Sequence, residues 1–257
     1  MIQVNLIGRM GNNLFQYALG RIIHEMTGMQ FQIVNQNRDL RETFSIPIAH
    51  GEQRFHNQEY FKNAPSFLPG EVRPDPLVLN EYNFESVDEI VRMASGRGIV
   101  IHGFFQRWKY YLPWREKIKE WFVLPPFDGA GSGNGVFHVR HGDYLASKQE
   151  LPDSYYEKLG VLDPENKMYW FGFGSGLSEE VEKKYKINHL WSDMDDFNFM
   201  RCSEAIICSN SSFAWWAAFL SDAKKVYIPQ PAAGKYWAAG SAQDLCCPLP
   251  GWELVRC

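Results

Sequence analysis

Nowhere in the chain do about 18 apolar residues run together, the minimum for a membrane-spanning helix. The opening residues, MIQVNLIGRMGNN, lack the charged start and long apolar stretch of an export signal. Both absences lead to the expectation of a cytoplasmic chain, neither exported nor anchored. A basic excess is missing too: 26 Lys and Arg stand against 30 Asp and Glu, a formal net charge of −4. With no global field to attract nucleic acid or an acidic membrane, any bound anion has to be gripped locally. Cysteine is scarce and odd in number. Cys202, Cys208, Cys246, Cys247 and Cys257 form no CxxC pair and no Cys/His metal spacing. Reduced thiols are the simplest reading. Internal repeats and low-complexity tracts are absent as well.

What is present is material for a core. Apolar residues make up 45% of the chain and aromatics 15%, with nine Trp, a composition that excludes intrinsic disorder. At 257 residues the chain exceeds the size at which one core usually stops growing, so two domains are expected. The most linker-like stretch is PPFDGAGSGNG at 125–135, rich in Pro, Gly, Ser and Asn with little to bury. It divides the chain into an N-terminal domain, 1–127, and a C-terminal domain, 128–257.

The first domain opens with a short apolar run, Gln3 to Ile7, that stops at Gly8. Apolar residues then recur at helical spacing from Leu14 to Met26. GIVIHGFF (98–105) predicts a second buried strand, and Tyr110 to Val123 an amphipathic helix ending at Pro125-Pro126. Beyond the linker, strands are predicted at 136–140, 168–173, 205–208 and 225–228. Helices are predicted around 154–159, 179–185, 195–202 and 211–220. Alternating strands and helices point to a mostly parallel sheet, hence an α/β fold. Residues 30–95 carry no readable motif.

Three stretches combine residue types that do chemistry. In Gly8-Arg9-Met10-Gly11-Asn12-Asn13 the glycines permit close backbone approach, while Arg9 and Asn12 offer a charge and an amide at the end of the first strand. The spacing is neither that of a dinucleotide loop nor that of a P-loop, so a plain tight turn accounts for it equally well. In FHVRHGDY (137–144) strand alternation puts His138 and Arg140 on one face and Phe137, Val139 and His141 on the other. Arg140 suits a phosphate, to which its guanidinium donates in a fork, but it equally suits a structural salt bridge to Asp143. In CSNSSFAWWAAFL (208–220) three small polar residues, Asn210, Ser211 and Ser212, precede an apolar helix. Asn210 or Ser211 fits an N-cap, and the same terminus, with its exposed amides and dipole, fits an anion.

Two further stretches invite functional readings that are less favoured. Asp193-Met194-Asp195-Asp196 contains the DxD spacing by which many sugar-nucleotide enzymes hold a divalent metal. It also directly precedes an apolar-periodic segment, where acidic residues suit a helix's first turn, and that reading is preferred. RWKYYLPWREKIKEW (107–121) mixes basic and aromatic residues, suited to weak peripheral contact with a membrane or a glycan. The solvated and buried faces of a helix explain it more simply.

Taken together, GRMGNNLFQYALG, GFFQRWKYY, HVRHGDY, LPDSYYEKL and SNSSFAWWAAFL resemble, in order and rough spacing, the bacterial α-1,2-fucosyltransferases of glycosyltransferase family 11. The resemblance implies a GT-B architecture of two Rossmann-like domains facing across a cleft. The N-terminal domain would lie on the acceptor side and the C-terminal domain would bind a GDP-sugar. It implies transfer of L-fucose from GDP-fucose to O2 of a terminal galactoside on a glycan acceptor, with inversion, no metal and no further cofactor. By the same resemblance Arg140 binds the pyrophosphate and His138 contacts the nucleotide side of the donor. Ser211, Ser212 and the Phe213 amide, beside Asn210, hold the phosphates, with Arg9 as a further cation. Asn12 lies at the reacting centre, and Asp143 is the nearest candidate general base. His141 occupies the donor-side position where the family has a second Arg, and Gly174-Ser175-Gly176 stands where it has SDD. These departures keep two alternatives open: another nucleotide-sugar donor, or a non-catalytic nucleotide- or glycan-binding module.

Overall fold

A computed structural model describes residues 1–35, 75–79, 84–122, 124, 135–141, 143–160, 162, 169–173, 183–185, 187, 193–232, 235, 237–238 and 243–257. The chain divides into two compact units, Met1–Leu124 and Pro125–Cys257. The predicted linker at 125–135 lies outside the described residues apart from Gly135, and so do 174–176 and most of the helix predicted at 179–185.

In the first unit a four-stranded parallel sheet is built from β1 (Ile2–Leu6), β2 (Phe31–Asn35), β3 (Leu77–Leu79) and β4 (Ile99–Ile101), in the order β2-β1-β4-β3. Helix α1 (Met10–Thr27) follows β1 and buries Leu14, Phe15, Ala18, Leu19, Ile22 and Ile23, the spacing that keeps one helix face on a sheet. Gly20 permits that contact to be close: a Cβ there would come within 2.5 Å of Val4 Cγ2. The helix starts at Met10, earlier than periodicity predicts, so Gly11, Asn12 and Asn13 form its first turn and only Gly8-Arg9 is loop.

After α2 (Val87–Ala94) and β4, the expected helix from Tyr110 to Val123 is three pieces. These are α3 (Trp108–Tyr111), a 3-10 turn (Leu112–Trp114) and α4 (Arg115–Trp121). Pro113 lacks the N–H a continuous helix needs, which accounts for the break. Tyr110, Tyr111 and Trp121 of this segment are buried, and the Tyr111 hydroxyl donates to Phe105 O at 2.8 Å. These three aromatic rings therefore serve the unit's own core. The strand predicted over 98–105 is only β4, and the chain leaves the sheet at His102.

The second unit carries five parallel strands in the order β6-β5-β7-β8-β9. They are β5 (Gly135–Arg140), β6 (Tyr169–Phe173), β7 (Ala205–Ile207), β8 (Lys225–Gln230) and β9 (Trp252–Arg256), the last not predicted. Among the described residues its helices include α5 (Asp143–Ser147), α6 (Asp153–Gly160), α7 (Asp193–Cys202) and α8 (Ser212–Phe219). On one face of β5, Phe137 and Val139 join Tyr155, Tyr156, Leu159 and Val255, and Phe137 stacks on Trp170 with centroids 4.0 Å apart. Helix α8 is apolar all round and buried from Phe213 to Phe219, the pattern of a helix enclosed on every side. Trp215 stacks on Phe219 at 4.5 Å and donates its indole N–H to Leu245 O at 3.0 Å. Trp215 and Trp216 are both core residues, about 1% exposed or less. No helix among the described residues is long and apolar enough to cross a membrane.

Candidate functional site

Strand order gives each sheet a topological switch point. In the C-terminal sheet β5 is followed by β6 on one side, then by β7 on the other, so connections diverge beyond the C-terminal ends of β5 and β7. Open α/β sheets bind ligands at such a switch point. Here β5 ends on His138-Val139-Arg140, and β7 runs into Cys208-Ser209-Asn210-Ser211 and the start of α8. The two motifs therefore meet, and His138 joins them. Its Nδ1 lies 2.7 Å from Ser209 Oγ, and its ring centroid is 5.8 Å from that of Phe213. Phe213 in turn meets Phe197 edge-on at 5.2 Å, fixing the first turn of α8.

His138 is 1% exposed, and its Nε2 has no hydrogen-bond partner among the described residues. Burial, aided by the Arg140 charge, lowers its pKa from 6.5 to about 3, so the ring is neutral in the fold. The unfolded chain takes up a proton between those two values that the folded chain refuses. Stability therefore rises with pH across that window, is complete above about 6.5, and falls on acidification. This group should make the protein about 1 kcal/mol less stable at pH 5.5 than at pH 7.5. Urea unfolding at the two pH values checks it, and the non-titrating variant His138→Gln should show a correspondingly smaller difference.

Arg140 is 7% exposed, with its guanidinium 4.8 Å from the Tyr144 ring centroid. Asp143 is the first residue of α5; its side chain lies outside the described set. His141 is directed elsewhere. It meets Tyr185 edge-on at 6.2 Å, on the strand face of Phe137 and Val139, and the Tyr185 hydroxyl hydrogen-bonds Asp153 Oδ1. Burial lowers the His141 pKa, while Asp153 and Glu150 pull it upward. Neither of its ring nitrogens has a hydrogen-bond partner among the described residues.

Asn210 is 2% exposed. Its Nδ2 donates to Gln149 O at 2.5 Å, which leaves Oδ1 without a partner among the described residues. Ser211 occupies the N-cap position in an extended conformation, yet its side chain makes no capping bond, contrary to the capping expectation. Its backbone N–H is also engaged, donating to Ser209 O at 2.8 Å. Ser212 and Phe213 are the first residues of α8. Asp193, Asp195 and Asp196 lie in the first turn of α7, in line with the preferred reading of that motif.

The N-terminal unit has a switch point of its own, beyond β1 and β4. Gln16 is fully buried and ties the two strand ends together: Oε1 accepts from Ile7 N at 3.0 Å and Nε2 donates to Gly103 O at 2.8 Å. Arg9 is the N-cap of α1, and its carbonyl accepts from Asn12 N and Asn13 N at 2.9 and 3.0 Å. Gln106 Nε2 donates to Asn12 Oδ1 at 2.7 Å. A Cβ on Gly8 would come within 2.3 Å of Asn12 Nδ2. The Asn12 carboxamide is thus held from two sides. Gln16, Gln106 and Ser209 were not singled out from the sequence, although Gln106 sits in GFFQRWKYY and Ser209 directly precedes the polar knot.

Two parallel-sheet α/β units, with a buried basic strand end beside a helix start in the second, define the class as GT-B-like. The chain resembles the crystal structure of fucosyltransferase NodZ from Bradyrhizobium, with a TM-score of 0.53 at 13% identity, covering 88% of this chain and 94% of that one. A NodZ alpha-1,6-fucosyltransferase soaked with GDP-fucose gives 0.51 at 15% identity, covering 88% and 93%. In sequence, the family model of Glycosyl transferase family 11 matches residues 175–244. An Escherichia coli alpha-1,2-colitosyltransferase is 24% identical over 86% of this chain and 88% of its own length. In these matches the chain is similar to glycosyltransferases of family 11 and is fucosyltransferase-like.

Proposed function

We propose that the protein is an inverting, metal-independent transferase that moves L-fucose from GDP-fucose to O2 of a terminal galactoside. The observation that carries this reading is the pairing, at one switch point, of buried Arg140 and His138 with the start of α8. In a single displacement the acceptor hydroxyl forms a bond to the anomeric carbon as the bond to the β-phosphate oxygen breaks. Negative charge accumulates on the departing GDP. Arg140 and the first amides of α8 meet that charge as preorganised donors, with Ser211 and Ser212 beside them and Arg9 as a further cation. Asp143 takes the acceptor proton. In this division of labour 1–127 serves the acceptor and 128–257 the donor, and Asn12 acts at the reacting centre. Placement of Asp195 and Asp196 in a helix's first turn supports the metal-free mechanism.

A colitosyl donor is a second reading, favoured by the colitosyltransferase relative. Colitose is fucose without its 3-hydroxyl, so the phosphate grip is common to both and only contacts around O3 differ. The test is turnover of GDP-fucose and of GDP-colitose with a β-galactoside acceptor, with and without EDTA. Transfer from one of them, undiminished by EDTA, is the expected outcome. Transfer that requires added metal sinks the mechanism, and GDP binding without transfer from either donor favours a binding module instead.

A further inference from the structure

Ser209 and His138 are 71 residues apart, lie on neighbouring strand ends and are buried to 0% and 1% exposure. The Ser209 hydroxyl has His138 Nδ1 as its sole hydrogen-bond partner among the described residues. A neutral imidazole carries one proton and one lone pair, on different nitrogens. Were the proton on Nδ1, it would point at Ser209 Oγ, and the buried hydroxyl proton would be left without an acceptor. With the proton on Nε2, Nδ1 accepts from Ser209 and the pair is satisfied. The same choice leaves Nε2–H as a buried donor with no acceptor among the described residues. It lies on the face of β5 that also carries Arg140. Nearby in sequence, Asn210 presents the opposite need, an unpartnered buried carbonyl oxygen, in an orientation that its bond to Gln149 O dictates.

We propose that Ser209 is a positioning residue that locks His138 as the Nε2–H tautomer, so that His138 meets the nucleotide donor as an uncharged hydrogen-bond donor beside the Arg140 charge. This rests on the donor-site reading above. An uncharged donor gives a phosphate or ribose oxygen direction without adding a second buried cation, and its strength does not vary with pH near neutrality.

The tautomer is read directly from the His138 ring nitrogens by long-range proton–nitrogen NMR on the full chain, with and without GDP. The expected result is a protonated Nε2 and an unprotonated Nδ1 in the wild type, and a tautomer mixture in Ser209→Ala. GDP affinity by calorimetry should fall about tenfold in Ser209→Ala and recover in Ser209→Thr. Gln places an amide N–H near the Nε2 position and Asn places one near Nδ1. His138→Gln should therefore bind GDP about tenfold more tightly than His138→Asn. A wild-type proton on Nδ1, or Gln and Asn variants of equal affinity, overturns the lock while leaving the donor site intact. A wild type that binds no GDP overturns the donor-site reading and this role of His138 together, whatever the tautomer.

Discussion

Replacing Arg140 by alanine lowers turnover about 10²-fold or more, the loss that follows removal of a preorganised charge donor at a developing anion. Arg140 is 7% exposed at the end of β5, so water cannot take over its role cheaply. Arg140→Lys keeps the charge and loses the planar fork, and it should fall between the wild type and Arg140→Ala. Saturating-donor kinetics with GDP titration check this, and circular dichroism confirms that each variant is folded. An Arg140→Ala protein that turns over at the wild-type rate excludes the phosphate role.

Gly8→Ala is expected to damage both stability and turnover. Gly8 has φ +78, a left-handed conformation that costs a residue with a Cβ roughly 1–2 kcal/mol. The added methyl would also lie 2.3 Å from Asn12 Nδ2 and 3.1 Å from Phe104 Cε1, so Asn12 must move. A displacement of about 1 Å at a reacting centre costs on the order of 10²-fold in rate. Urea unfolding gives the first quantity and kcat the second. Adding Asn12→Ala removes the clash with the carboxamide. The double variant should then recover part of the stability, leaving the conformational cost, and the two sites should be non-additive. A stability loss with unchanged kcat would take Asn12 out of the reaction.

The elements legible in the sequence are those whose burial is one-sided or complete. Alternation along 137–141 separates His138 and Arg140 from the core face, and the structure puts Phe137 and Val139 in the core cluster and His138 against Ser209. Two of the elements missed are short or weakly patterned. β3 has three residues, and β9 has one buried position, Val255, so neither shows a periodicity. The early start of α1 is hidden because Gly11, Asn12 and Asn13 are poor helix formers; in the fold Met10 and Gly11 are buried and the Asn13 carboxamide donates to the Ile7, Gly8 and Arg9 carbonyls.

By itself the amino-acid sequence determined the parallel α/β class, the buried character of α8 and the residue types able to hold an anion. Each of these follows from local spacing and composition. Only the tertiary structure decided which of those residues meet. Strand order brings Ser209 to His138, 71 residues away, and Gln106 to Asn12, 94 residues away. It also directs His141 towards Tyr185, on the other face of the strand. The physical reason is that neighbours in a sheet are set by long-range packing, so the partner that fixes a tautomer or an amide leaves no mark on the spacing around the residue it holds.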